Sequence, residues 1–88
     1  MKKENIKVGM FVKVKSKEKC EELGWDLEEN WFNTNFCGQK VEVVSEVFHA
    51  EWLNSAYYDS VDVEYENTSQ CIPIHLLKKL KGDSNEQQ

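Results

Sequence analysis

Residues 6–15 alternate apolar and polar side chains with a period of two. Ile6, Val8, Met10, Val12 and Val14 share one face, and Lys7, Lys13 and Lys15 share the other. Successive side chains of a strand point to opposite faces, so this pattern predicts a half-buried strand. Gly9 inside it marks a bulge or a sharp bend. The alternation breaks over residues 16–37. Ser16 is placed to cap a short helix over residues 17–23, with Gly24 ending it. Asp26, Glu28 and Glu29 then interleave with Trp25, Leu27, Trp31 and Phe32, and Asn30, Asn33, Thr34 and Asn35 read as turn residues. A connection this long carries structure or function of its own.

From Gly38 the alternation returns. Val41, Val43, Ser45 and Val47 line one side of a second strand, with Lys40, Glu42, Val44, Glu46 and Phe48 on the other. Trp52 precedes a turn expected at Asn54-Ser55. Residues 57–66 alternate most cleanly: Tyr57, Val61, Val63 and Tyr65 inward, Tyr58, Asp62, Glu64 and Glu66 outward. Asn67-Thr68-Ser69 reads as the next turn. Pro73 lacks a ladder donor and belongs at an edge or a strand start. His75-Leu76-Leu77 fits a single 3₁₀ turn before a last short strand over residues 78–80. The polar tail, residues 81–88, is expected to be disordered.

Eighty-eight residues allow one core, and four or five short strands with one long early excursion make a small closed barrel over residues 1–80. Three segments resemble a family pattern: Ile-x-Val-Gly-Met-x-Val-x-Val over residues 6–14, Phe-x-Gly-x-x-Val-x-Val from Phe36 to Val43, and Ile-Pro-Ile-x-x-Leu-x-x-Leu over residues 72–80. Together they resemble small SH3-like β-barrels of the kind found in phage and bacterial accessory genes. The resemblance implies a mostly β barrel of about five strands, an RT-type loop after the first strand and a 3₁₀ turn before the last. One departure matters. SH3 domains that bind proline-rich peptides carry an Ala-Leu-Tyr-Asp-Tyr run where this chain reads Phe-Val-Lys-Val-Lys, which argues against that ligand. The fold hosts many unrelated binding tasks, so function has to come from the surface.

Charge adds a division. Residues 1–19 carry seven lysines against two glutamates, residues 20–66 twelve acids against Lys40 alone, and residues 67–88 three lysines against two acids, within a net charge of −5. So acidic a middle argues against wrapping nucleic acid. All eleven basic residues are lysines, and the bidentate base and phosphate contacts of arginine are missing. The alternative, a nucleic-acid-binding barrel, would use the lysines clustered towards the two chain ends.

Catalytic and metal chemistry find little support. Cys20, Cys37 and Cys71 form no CxxC pair and read as free thiols. Cys71 and His75, with Cys20, Cys37 and His49, offer only one loose pair where structural zinc sites use close pairs, so no metal or other cofactor is expected. A Cys–His nucleophile would need an orienting partner and a deep cleft, and no local signature marks either, which points away from an enzyme. No apolar run reaches the about 18 residues of a membrane span. The basic start leads into alternation instead of an apolar block, so the cytoplasm (the host's, for a phage gene) is the expected location.

The acidic, aromatic segment is the candidate site. Glu21, Glu22, Asp26, Glu28 and Glu29 surround Trp25 and Trp31, and Tyr58, Asp62 and Glu64 extend the surface. Large aromatics ringed by charge are the residues on which protein interfaces depend. Trp25, Trp31 and Phe32 would equally fold back to cover an open barrel end, with at least two of them in the core. The expected function is a non-enzymatic module that binds a basic protein, and a phage-encoded inhibitor of a nucleic-acid-handling or defence protein is one setting for it.

Overall fold

The structure, a computed structural model, describes residues 1–25, 34–52 and 56–80. It is mostly β: a curled antiparallel sheet with one helix and a 3₁₀ turn before its last strand, the arrangement of a small SH3-like barrel. The strands are β1 (Phe11–Val14), β2 (Lys40–Val43), β3 (Phe48–Glu51), β4 (Tyr57–Tyr65), β5 (Thr68–Pro73) and β6 (Leu77–Lys78).

Register shows how they join. Ser60 of β4 pairs with both Phe48 and Pro73, and Val63 with both Val43 and Gln70. A strand has two edges, so β2 and β3 lie in line along one edge of β4 and β5 along the other. The single strand expected over residues 40–48 is therefore interrupted, with Val44–Val47 bulging from the ladder. Asp62 spans the bulge: its carbonyl accepts from Val44 N–H at 2.9 Å, and its own N–H donates to Ser45 Oγ at 2.9 Å. The side chain supplies an acceptor where the bulge removes a backbone one. β1 pairs with β2 on one side and β6 on the other. The spatial order is β6, β1, β2 with β3, β4, β5.

The first strand is shorter than its alternation predicts. Gly9 has φ +93°, a sharp bend that ends the pattern. Ile6, Val12 and Val14 are buried, whereas Val8 on the far side of the bend is exposed. Ser16 caps α1 (Lys17–Glu22), its Oγ accepting from Lys19 N–H at 3.2 Å. Gly24, at φ +87°, closes the helix. Its N–H reaches the Glu21 carbonyl, and Trp25 N–H reaches the Cys20 carbonyl. This pair of bonds is a Schellman motif, which turns the chain so that Trp25 packs inward beside Cys20.

The core joins Val12, Val14, Val41, Val43, Val61 and Val63 from facing strands with Phe36, Ile72, Leu76 and Leu77. The hairpin between β4 and β5 turns on Glu66 and Asn67, with φ of +51° and +66°, and Tyr65 pairs directly with Thr68. This is a two-residue turn with the positive φ values of type I′, one residue earlier than the expected Asn67–Ser69 turn. The 3₁₀ turn falls at Ile74–Leu76 with β6 directly after it, again one residue early. Pro73 is the last residue of β5, an edge strand paired among the described residues with β4 alone, so of the two expected placements it takes the edge. The expected turn at Asn54-Ser55 and the tail 81–88 lie outside the described residues.

Candidate functional site: a charge-divided sheet face

Cross-strand partners share a face of the sheet, so register sorts the outer surface into rows. Lys78, Lys13 and Lys40 form one row across β6, β1 and β2. The next row runs Phe11, Glu42, Glu64 and Ser69 across β1, β2, β4 and β5. Beyond it lies Asp62 opposite Cys71, and then Phe48 opposite Ser60. One face thus carries three lysines at one end and three carboxylates in its middle.

Like charges meet directly in both rows: Lys13 faces Lys40 and Lys78, and Glu42 faces Glu64. Such pairs destabilise a sheet. The ion pairs among the described residues lie elsewhere, between Lys19 and Glu22 at 3.3 Å and between His49 and Asp59 at 3.2 Å. Lys40 Nζ sits 5.0 Å from the centre of the Phe11 ring, a cation–π contact where the basic and acidic rows meet. Around the carboxylates, Phe11, Val44 and Phe48 are 44%, 37% and 40% exposed.

At its far end the same face is covered. Trp25 is only 3% exposed and meets Trp52, Tyr58 and His75 edge-on, with ring centres 5.1, 5.6 and 5.9 Å apart. Trp52 Nε1 donates to Ser60 Oγ at 3.2 Å, and that hydroxyl donates to the Tyr58 carbonyl at 3.0 Å. Trp25 Nε1 is buried with no acceptor among the described residues. Burial, reinforced by Lys15 and the N-terminal ammonium, holds the His75 imidazole below its ordinary pKa. Lys15 Nζ donates to the His75 carbonyl at 2.9 Å.

The expected site residues therefore separate. Asp62 and Glu64 share the outer face with Glu42 and are half-buried, while Glu21 and Glu22 stand exposed on α1. Trp25 is in the core, as the reading of a folded-back aromatic requires, and is no surface contact. Tyr58 also packs against the core, whereas Tyr57 is 57% exposed. Alternation had the faces right and the burial reversed. Tyr57 shares a side with Val61 but stands at the first position of β4, stacked beside His49 with ring centres 5.4 Å apart. Tyr58 points the other way, where Trp25 and Trp52 cover it. Asp26, Glu28, Glu29 and Trp31 lie outside the described residues.

The cysteines and histidines are dispersed. Cys20 and Cys37 face each other in thiol contact, Cys71 lies beside Asp62, and among the described residues no three ligating side chains converge. Burial pushes the Cys20 and Cys71 thiols up to about 11. No described helix is long and apolar enough to cross a membrane. The lysine row was not visible as such in the sequence, because Lys13, Lys40 and Lys78 meet only through register. Compared with protein-family models, curated proteins and solved structures, the chain matches none.

Proposed function

We propose that this chain is a non-catalytic binding module that docks a basic protein on the acidic middle of its outer sheet face. The observation that carries the reading is the grouping of Glu42, Asp62 and Glu64 with the exposed rings of Phe11 and Phe48. Apolar side chains on a strand face contribute binding energy, and carboxylates around them select a partner rich in lysine or arginine. Glu42 and Glu64 face each other with no cation paired to either among the described residues, so a partner's cation relieves a repulsion between them. Basic grooves of this kind occur on proteins that handle nucleic acid, which is the class of partner the surface fits. No part of the reading requires a cofactor.

The test compares the proteins retained by wild type with those retained by a Glu42→Gln/Glu64→Gln variant, at about 0.1 M and about 1 M salt. Screening shortens from about 10 Å to about 3 Å over that range. Basic proteins held at low salt should be lost both at high salt and with the variant. Retention of the same partners by the variant would remove the acidic face from the function.

A further inference from the structure

The basic end of the face carries a second site. We propose that the cleft between β1, α1 and β6 binds a compact anion bearing two or more phosphate groups, of the size of pyrophosphate. The cleft has a volume of about 330 Å³ and is lined by Lys13, Lys15, Ser16, Lys19, Gly38 and Lys78. Four lysines line the cleft, and no carboxylate does so among the described residues.

Each lysine is placed by a separate feature of the fold. Register sets Lys13 directly between Lys40 and Lys78. The Ser16 cap starts α1 where it brings Lys19 to the same opening. Lys15 is held by its bond to the His75 carbonyl at 2.9 Å, so one positive charge is preorganised at the wall. Lys13 and Lys78 have no carboxylate within 4 Å among the described residues. Lys19 has only the exposed Glu22 at 3.3 Å, a pair that solvent holds weakly and an anion can displace.

The lining chemistry selects the ligand. A lysine ammonium is a compact point charge that suits phosphate oxygens. Ser16 Oγ accepts from Lys19 N–H, which leaves its O–H proton to donate to an anion. Among the described residues no aromatic ring lines the cleft, so they offer a nucleobase nothing to stack on and recognition rests on the phosphates. One row further along the face stand Glu42 and Glu64. An extended polyanion crossing the sheet would meet those carboxylates, whereas a compact one confined to the lysine end would not. Lys13 faces Lys40 and Lys78, so a bound anion relieves that repulsion, and the ion pair it displaces among the described residues is the exposed one between Lys19 and Glu22.

The experiment is a pyrophosphate titration of the full chain at low salt, followed by backbone amide NMR and calorimetry. Saturable shifts should be confined to the neighbourhood of residues 13–19, 38 and 78. Lys13→Gln/Lys78→Gln should weaken binding at least about tenfold, since the pair removes two charged contacts to the anion. The same variant should melt no lower than wild type, because it removes a repulsion. Orthophosphate should bind more weakly than pyrophosphate. Glu42→Gln/Glu64→Gln should leave pyrophosphate binding intact or tighter, which separates this site from the acidic one. Absence of saturable shifts, or unchanged affinity in the lysine variant, overturns the proposal. A single-stranded oligonucleotide binding more tightly than pyrophosphate through the same lysines would overturn the compact ligand in favour of a nucleic-acid backbone.

Discussion

Replacing Trp25 separates a core role from a contact role. The indole is 3% exposed and makes three edge-on ring contacts, with Trp52, Tyr58 and His75. Trp25→Ala removes that packing and leaves a cavity, a change that costs about 3–5 kcal/mol in well-packed cores. A chain of 88 residues has a total stability of about 4–13 kcal/mol. The variant should therefore be close to unfolding, with a Tm lower by roughly 15–30 °C.

Trp25→Phe gives the finer measurement. It keeps a ring against Trp52 and Tyr58 and removes the Nε1–H, which has no acceptor among the described residues. A buried donor without a partner costs about 1–3 kcal/mol. Its removal offsets much of the lost ring area, so the net loss should stay under about 1.5 kcal/mol. Urea and thermal denaturation followed by far-ultraviolet circular dichroism avoid the changed fluorophore. A loss below about 1 kcal/mol for Trp25→Ala, with the denaturant slope unchanged, would refute the core assignment.

Two further predictions test the hairpin and the thiols. Glu66→Asn with Asn67→Gly places the preferred type I′ pair at the positions with positive φ, and should add about 1 kcal/mol, or roughly 4–8 °C in Tm; a lower Tm would move the turn back to Asn67–Ser69. Cys20 and Cys71 have thiols raised to about 11 by burial. A raised thiol contributes stability that is complete below the unfolded pKa near 9 and is lost as pH rises through about 11. Tm should fall over that interval, and the fall should be shallower in Cys20→Ala/Cys71→Ala; identical pH profiles would sink the assignment.

The sequence carried the parts of the fold that depend on local periodicity. The phase of β2 and of the inner half of β4 is a strict alternation, and the Ser16 cap and Gly24 stop are local backbone chemistry. What it could not carry was set by distant segments. Val8 is exposed because Gly9 bends the chain away from the sheet. Tyr58 is half-buried against the core because the Schellman turn at Gly24 delivers Trp25 to a strand more than thirty residues later. The acidic stripe was legible because Asp62 and Glu64 alternate within one strand. The lysine row was not, because Lys13, Lys40 and Lys78 are neighbours only in the folded register.

That register also allows the charged face to be tested as one device. Three directly opposed pairs on it are of like sign: Lys13 with Lys40, Lys13 with Lys78, and Glu42 with Glu64. Exchanging two charges, Lys13→Glu with Glu42→Lys, turns all three into opposite-sign pairs and leaves the net charge at −5. Each cross-strand charge pair is worth about 0.2–1 kcal/mol. The exchange should therefore raise stability by about 1–3 kcal/mol, less at high salt where exposed charges are screened. A sheet shaped by stability alone would mix its signs in this way. The natural arrangement forgoes that gain and keeps a basic end beside an acidic middle, as the proposed docking of an anion and of a basic protein at separate places would require. The exchanged variant should melt higher in chemical and thermal denaturation while losing both pyrophosphate and the basic partner. If it melts lower, the opposed pairs do not face one another as the register places them. If it melts higher and still holds both ligands, the division of charge serves neither site.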